Sequence, residues 1–109
     1  FKSFPNHPAY CASKAAVVAL VKQLAVDFSP AIRVNAICPG PVDTPLIWDS
    51  AKAFDKPEKA VEDAANATLM KRLGKSEDIA KLALFLASND SSWITGSSFN
   101  IDGGIMASV

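Results

Sequence analysis

The sequence has little of several features that mark specialised classes of protein. It contains two cysteines, Cys11 and Cys38, too few for a disulfide framework or a cysteine metal site. Eleven basic and eleven acidic residues give a formal net charge of zero, so charge favours neither nucleic acid nor an anionic membrane as a partner. Its apolar runs are far shorter than the ~18 residues of a membrane span, and no signal peptide opens it. We therefore expect a cytoplasmic protein with reduced thiols and no bound metal.

What is present is typical of a globular α/β protein. The 109 residues are enough for one small domain, residues 1–109, and half of them are apolar. Apolar spacing, helix-start signals and proline positions predict the elements. These are a helix over Pro8–Phe28, a strand over Ile32–Ile37, an irregular segment 39–56, a helix from Pro57 to about Met70, a helix beginning near Ser76 and a strand over Ser98–Ile101.

The order of these elements favours a parallel sheet. A strand–helix–strand crossover is nearly always right-handed and buries both strands, and the first strand shows the unbroken apolar run that such burial requires. The helix near Ser76, which Ser76 can cap, has an apolar stripe predicted to be buried: Ile79, Leu82, Ala83 and Leu86. Two strands alone are marginally stable, so we expect this chain to pack against further structure.

The most informative residues are Tyr10 and Lys14. Four residues apart on the predicted helix, they lie on one face, one above the other. A cation beside a phenol favours the phenolate and lowers the pKa of the tyrosine, which makes it usable as a general acid/base near neutral pH. The pair alone is also consistent with a solvated helix face.

Two more segments accompany this pair. The loop Pro39-Gly40-Pro41-Val42-Asp43-Thr44 directly follows the first strand, where ligands of doubly wound sheets bind and where glycine permits close approach. By itself it is also consistent with an ordinary turn. The segment from Ile94 to Gly104 contains the last strand and a closing Asp-Gly-Gly. Together, the Tyr-Lys pair, the loop and the closing segment resemble the C-terminal half of the short-chain dehydrogenase/reductase family.

The resemblance implies the C-terminal part of a Rossmann-like doubly wound parallel sheet, with two strands and about three helices in this chain. It implies an NAD(P)-dependent oxidoreductase that interconverts a secondary alcohol and a ketone by hydride transfer, with NAD or NADP as cofactor. Tyr10 would be the catalytic acid/base, and Lys14 would tune it and bind the nicotinamide ribose. Val42 would hold the nicotinamide carboxamide through its backbone, and Thr44 would bind the carboxamide or phosphate. Pro39 and Gly40 would belong to the same cofactor loop.

The family pattern is incomplete here. Its Gly-rich phosphate turn, its catalytic serine and asparagine and its NAD/NADP-selecting residue have no counterpart in the sequence, and Ser3 is too close to Tyr10 to be that serine. We therefore expect a fragment that lacks the N-terminal half of its domain and is inactive as an isolated chain. The alternative is a non-catalytic, truncated remnant that acts only in subunit assembly.

Three further interpretations stay open. The apolar residues of the irregular segment either plug a core or line a substrate pocket: Leu46, Ile47, Trp48 and Phe54. His7 fits a helix start better than a proton relay, and Cys38 is expected to be a small buried apolar residue. The family further implies a homodimer or homotetramer, with the last strand pairing across a dimer axis, although packing within one subunit is equally consistent with it.

Overall fold

A computed structural model describes the backbone of residues 8–107 and the side chains of residues 12–107. The two strands form a two-stranded sheet, and the bonds Ala36 N–H to Ser97 C=O and Gly40 N–H to Ile101 C=O keep one sequence offset, which makes the pairing parallel. The predicted α/β class is confirmed. The elements are α1 (Pro8–Phe28), β1 (Ala36–Pro39), α2 (Pro45–Ala51), α3 (Pro57–Ala67), α4 (Ser76–Ala87) and β2 (Ser98–Ile101), with short 3-10 turns at Asn89–Ser91 and Ile105–Ala107.

The observed bounds correct two predicted elements. β1 begins at Ala36 rather than Ile32, because the backbone of Val34 is held by a loop: its N–H donates to Thr95 Oγ1 (3.0 Å) and its carbonyl accepts from Gly96 N–H (2.7 Å). α3 ends at Ala67 rather than Met70, since Thr68 takes an extended conformation with φ −77° and ψ 152°.

The segment predicted to be irregular contains a further helix, so the described residues form four α-helices rather than three. α2 has Pro45 in its first turn, where the missing N–H of proline costs nothing, and it packs against α3. Its seven residues are too few to show an apolar period, which explains why the sequence pattern does not reveal it.

The chain divides into two compact units, one of residues 1–38 and 84–99, the other of residues 39–83 and 100–109. In the first unit, Val21, Ala25 and Ala36 form the buried apolar core. The turn at Gly96, with φ +73°, lies against this core, since a Cβ there would be 3.3 Å from Ala25 Cβ.

The side chain of Arg33 makes four hydrogen bonds within the first unit. Its guanidinium donates to the carbonyls of Leu86 (3.1 Å), Ser88 (3.1 Å) and Ile94 (3.2 Å) and to Ser91 Oγ (3.0 Å). A planar guanidinium has enough donors to satisfy these acceptors together. Arg33 therefore holds the chain beyond the end of α4 to the residues that lead into β1.

In the second unit, the closing Asp-Gly-Gly turn is docked on the end of α3. The Gly103 carbonyl accepts from the N–H groups of Leu69 (2.8 Å) and Met70 (3.1 Å). Thr68 is only 1% exposed, and its hydroxyl donates to the Ala65 carbonyl at 2.9 Å. The Asp-Gly-Gly turn therefore holds the residues that connect α3 to α4.

Few apolar side chains are buried in the described residues. The predicted stripe of α4 is half-buried at Ile79, Leu82 and Leu86 and exposed at Ala83, and Cys38 is half-buried rather than buried. Large apolar residues are exposed on α1, α2 and the end of α4, among them Leu20, Leu46 and Leu84. Among the helices described, none is both long and apolar enough to cross a membrane.

Candidate functional site

The helix expected to carry the acid/base pair has the predicted bounds. α1 is continuous from Pro8 to Phe28, so Tyr10 and Lys14 occupy positions i and i+4 of one helix and share a face. The side chain of Lys14 is exposed. The side chain of Tyr10, like Ser3 and His7, lies outside the described residues.

The Pro-Gly loop follows β1, which ends at Pro39. At Gly40 its backbone lies very close to Asp102, the residue after β2. Gly40 donates its N–H to the Ile101 carbonyl at 3.0 Å. A Cβ at Gly40 would lie 2.7 Å from both Cα and Cβ of Asp102. Glycine is therefore required here because β1 continues directly against the end of β2.

The backbone N–H and C=O of Val42 point away from Gly74, with which Val42 is paired. It forms a parallel bridge with Gly74, made by Gly74 N–H to the Pro41 carbonyl (2.9 Å) and Asp43 N–H to the Gly74 carbonyl (2.8 Å). In such a pairing the residue between the two bonds directs its own N–H and C=O to the opposite edge. The backbone groups of Val42 are thus turned away from Gly74.

Thr44 stands at the N-cap of α2 but does not cap it. Its backbone is extended, with φ −141° and ψ 163°, and its side chain makes no cap bond. Thr44 Oγ1 instead donates a long hydrogen bond, 3.4 Å, to the Val42 carbonyl. The hydroxyl oxygen keeps its capacity to accept a hydrogen bond from a ligand.

The residue that ties α2 to the loop is Trp48. Its indole Nε1–H donates to Asp43 Oδ1 at 2.9 Å. The sequence pattern does not reveal this bond, because a spacing of five residues across a loop and a helix start is not a regular helical pair. Leu46, Trp48 and Phe54 are exposed and Ile47 is half-buried, so in the described residues they do not plug a core.

The second unit also contains a cleft of about 260 Å³. Asp78, at its wall, accepts from Lys75 N–H (2.8 Å) and from Arg72 Nη1 (3.1 Å). These two hydrogen bonds, that from the Lys75 backbone first, lower the pKa of Asp78 below its ordinary value. Pro41, Thr68, Met70 and Ile101 complete much of the lining.

The structure places the predicted site residues in two groups. Pro39, Gly40, Val42 and Thr44 follow one another in a single short segment of the second unit. Tyr10 and Lys14 belong to α1 in the first unit.

The sequence is similar to that of known oxidoreductases. The family model described as enoyl-(acyl carrier protein) reductase matches residues 1–106. Oxidoreductase UcpA of Salmonella typhimurium is 46% identical over 103 residues, which cover 92% of this chain and 39% of that protein. Dehydrogenase/reductase SDR family member 6 of Rattus norvegicus is 40% identical over 104 residues, which cover 94% of this chain and 42% of that protein.

A solved structure has a similar fold. The ligand-free aldohexose dehydrogenase of Thermoplasma acidophilum superposes with a TM-score of 0.92 at 36% identity, covering 98% of this chain and 44% of that one. The chain therefore spans about two fifths of the length of the curated relatives it matches.

Proposed function

Since this chain belongs to the short-chain dehydrogenase/reductase family and corresponds to its C-terminal part, we propose that it is the catalytic part of an NAD(P)-dependent oxidoreductase that interconverts a secondary alcohol and a ketone. The observation that supports the proposal is the continuous helix α1, in which Tyr10 and Lys14 are four residues apart, the spacing at which helix positions share a face. Tyr10 would exchange a proton with the substrate oxygen. Lys14 would favour the phenolate by its charge and bind the ribose of the cofactor.

The Pro-Gly loop supports a role in holding the nicotinamide. The edge of Val42 that faces away from Gly74 offers one N–H and one C=O, which match the C=O and NH₂ of a carboxamide. Thr44 has a hydroxyl that is not used as a helix cap. A nicotinamide cofactor would supply or take up the hydride, and these residues would orient its ring at the end of β1.

The substrate class is proposed from the chemistry of the acid/base pair. A phenol that gives up and regains one proton suits the oxygen of an alcohol or a ketone. The similar protein from Thermoplasma acidophilum is an aldohexose dehydrogenase, which fits oxidation at a carbon that carries a hydroxyl group. We therefore propose a small alcohol and its carbonyl product as the substrate pair.

The test is turnover by the full-length protein. Oxidation of NADH and NADPH is followed with a panel of ketones, and oxidised cofactors are tested with the matching alcohols. Tyr10→Phe, which removes only the hydroxyl, is expected to lower kcat by about 10²–10⁴-fold, the range that general acid/base catalysis contributes. Lys14→Met is expected to lower kcat as well and to raise the KM for the cofactor.

Lys22→Met is the matched control, because Lys22 is an exposed lysine of the same helix. It is expected to leave kcat and KM unchanged. Turnover that survives Tyr10→Phe would contradict the assignment of the acid/base. A full-length protein that binds neither cofactor would favour the alternative, a non-catalytic member of the family that serves only in assembly.

A further inference from the structure

α2 begins at Pro45 but has no side-chain hydrogen bond from its N-cap residue, Thr44. Its seven residues are too few for a helix to be stable alone. The side that carries Trp48 gains little from apolar burial, since Trp48 remains 42% exposed. α2 packs against α3, and its buried residue, Ala51, which is 4% exposed, lies at the far end of the helix.

The bond between Trp48 and Asp43 supplies the missing anchor at the near end. Asp43 is itself held, because its N–H donates to the Gly74 carbonyl at 2.8 Å. Its carboxylate accepts from Trp48 Nε1 at 2.9 Å, and hydrogen bonds to an ionised acceptor are stronger than neutral ones. The indole thus connects α2 to a residue that is fixed to the Val42–Gly74 bridge.

Along the chain, Thr44 lies between Asp43 and Trp48, the two residues that this hydrogen bond joins. From this geometry we propose that the Trp48–Asp43 hydrogen bond is a latch that fixes α2 on the Pro-Gly loop and thereby positions Thr44 for the nicotinamide cofactor. The cofactor role of Thr44 rests on the function proposed above. Trp48 and Asp43 are positioning residues in this account, because they act through Thr44.

The experiment opens the latch from either side in the full-length protein. Trp48→Phe keeps an aromatic ring and removes the donor, and Asp43→Ala removes the acceptor. For both variants the KM for the cofactor is expected to rise about 5- to 20-fold, the loss of one solvent-exposed hydrogen bond, with kcat within about threefold of wild type. Hydrogen exchange at residues 45–51 is expected to be faster in both variants.

Three further variants separate positioning from a general loss of structure. Asp43→Asn keeps an oxygen that accepts from the indole and is expected to restore most of the affinity for the cofactor. Trp93→Phe changes a tryptophan that is 98% exposed and is expected to alter neither readout. The double variant Trp48→Phe/Asp43→Ala is expected to bind the cofactor no more weakly than either single variant, because both remove the same bond.

The results that overturn the proposal are distinct from those that overturn the function. Unchanged exchange at residues 45–51, or additive losses in the double variant, shows that the bond does not hold α2. Faster exchange with an unchanged KM shows that α2 does not set the position of Thr44. If the wild-type protein turns over no substrate and binds no cofactor, the proposed function and the cofactor role of Thr44 fail together, and the exchange data alone decide whether the latch exists.

Discussion

The close approach of Asp102 is sufficient to require glycine at position 40. Any Cβ there would meet the backbone of Asp102 at 2.7 Å, and backbone cannot move aside as a flexible side chain can. We expect Gly40→Ala to lower the free energy of unfolding by about 1–3 kcal/mol, the usual cost of overpacking. Urea unfolding of the full-length protein measures it.

Gly74 provides the matched control for this substitution. A Cβ at Gly74 would lie 3.6 Å from the Pro41 carbonyl oxygen and from Val42 Cγ2, which is ordinary van der Waals contact. Gly74→Ala is therefore expected to change the free energy of unfolding by less than about 1 kcal/mol. Equal losses in both variants would show that the close approach of β1 and β2 at Gly40 is not the cause.

The chemical roles of Tyr10 and Lys14 stay predictions. At the scale of residues, sequence reasoning correctly predicts that both belong to one helix, because spacing along a single element decides which of its positions share a face. It does not predict the Trp48–Asp43 bond or the contacts of Arg33, because both depend on loops and join residues that follow no regular spacing in the sequence. Such contacts leave no pattern in the sequence.

The start of α4 shows how a cap predicted from the sequence is replaced by a neighbour. Ser76, the predicted cap, is the first residue of the helix, and the Asp78 carboxylate instead accepts from Lys75 N–H at 2.8 Å, as in the reciprocal half of a capping box. This bond is the main cause that lowers the pKa of Asp78 below its ordinary value of 3.8. Asp78 therefore couples the stability of α4 to pH.

The direction of this coupling follows from the lowered pKa. A carboxyl that is more acidic in the folded than in the unfolded state stabilises the fold above its unfolded pKa, and this contribution is lost as pH falls through the folded pKa. We expect the Tm of the wild type to exceed that of Asp78→Asn above about pH 5 and the difference to shrink below about pH 4. Thermal unfolding across this pH range measures it.

Ser76→Ala is the control for this prediction, because it removes the cap predicted from the sequence and leaves the Asp78 carboxylate in place. Its Tm is expected to follow the pH dependence of the wild type. A difference between wild type and Asp78→Asn that stays constant from pH 7 to pH 3 would contradict the role assigned to the charge of Asp78.

At the scale of elements, those whose ends are marked by proline or glycine are predictable, whereas those whose ends depend on tertiary contacts or that are too short to show a period are not. α1 has a proline-directed end and β2 is followed by an Asp-Gly-Gly turn, and both have the predicted bounds. β1 is displaced from its apolar run because tertiary bonds at Val34, rather than side-chain pattern, decide where the ladder begins. α2 is not predicted, because its seven residues are too few to show an apolar period.

At the scale of the whole molecule, the described residues bury few apolar side chains for a chain in which half of the residues are apolar. Among the described residues five apolar side chains are buried, whereas thirteen large ones are at least 41% exposed. The two strands form a sheet that would be marginal on its own. Exposed apolar side chains in such number are typical of proteins that pack against other protein.

We therefore expect the 109 residues, produced alone, to unfold without a cooperative transition and to bind a dye for exposed apolar surface, such as ANS. They are expected to reduce no ketone with NADH or NADPH. The full-length protein, as control, is expected to unfold cooperatively and to assemble as a homodimer or homotetramer in light scattering. Cooperative unfolding of the 109-residue chain as a monomer, with low dye binding, would contradict this prediction, because it would show that the exposed side chains of α1, α2 and α4 need no cover to sustain the fold.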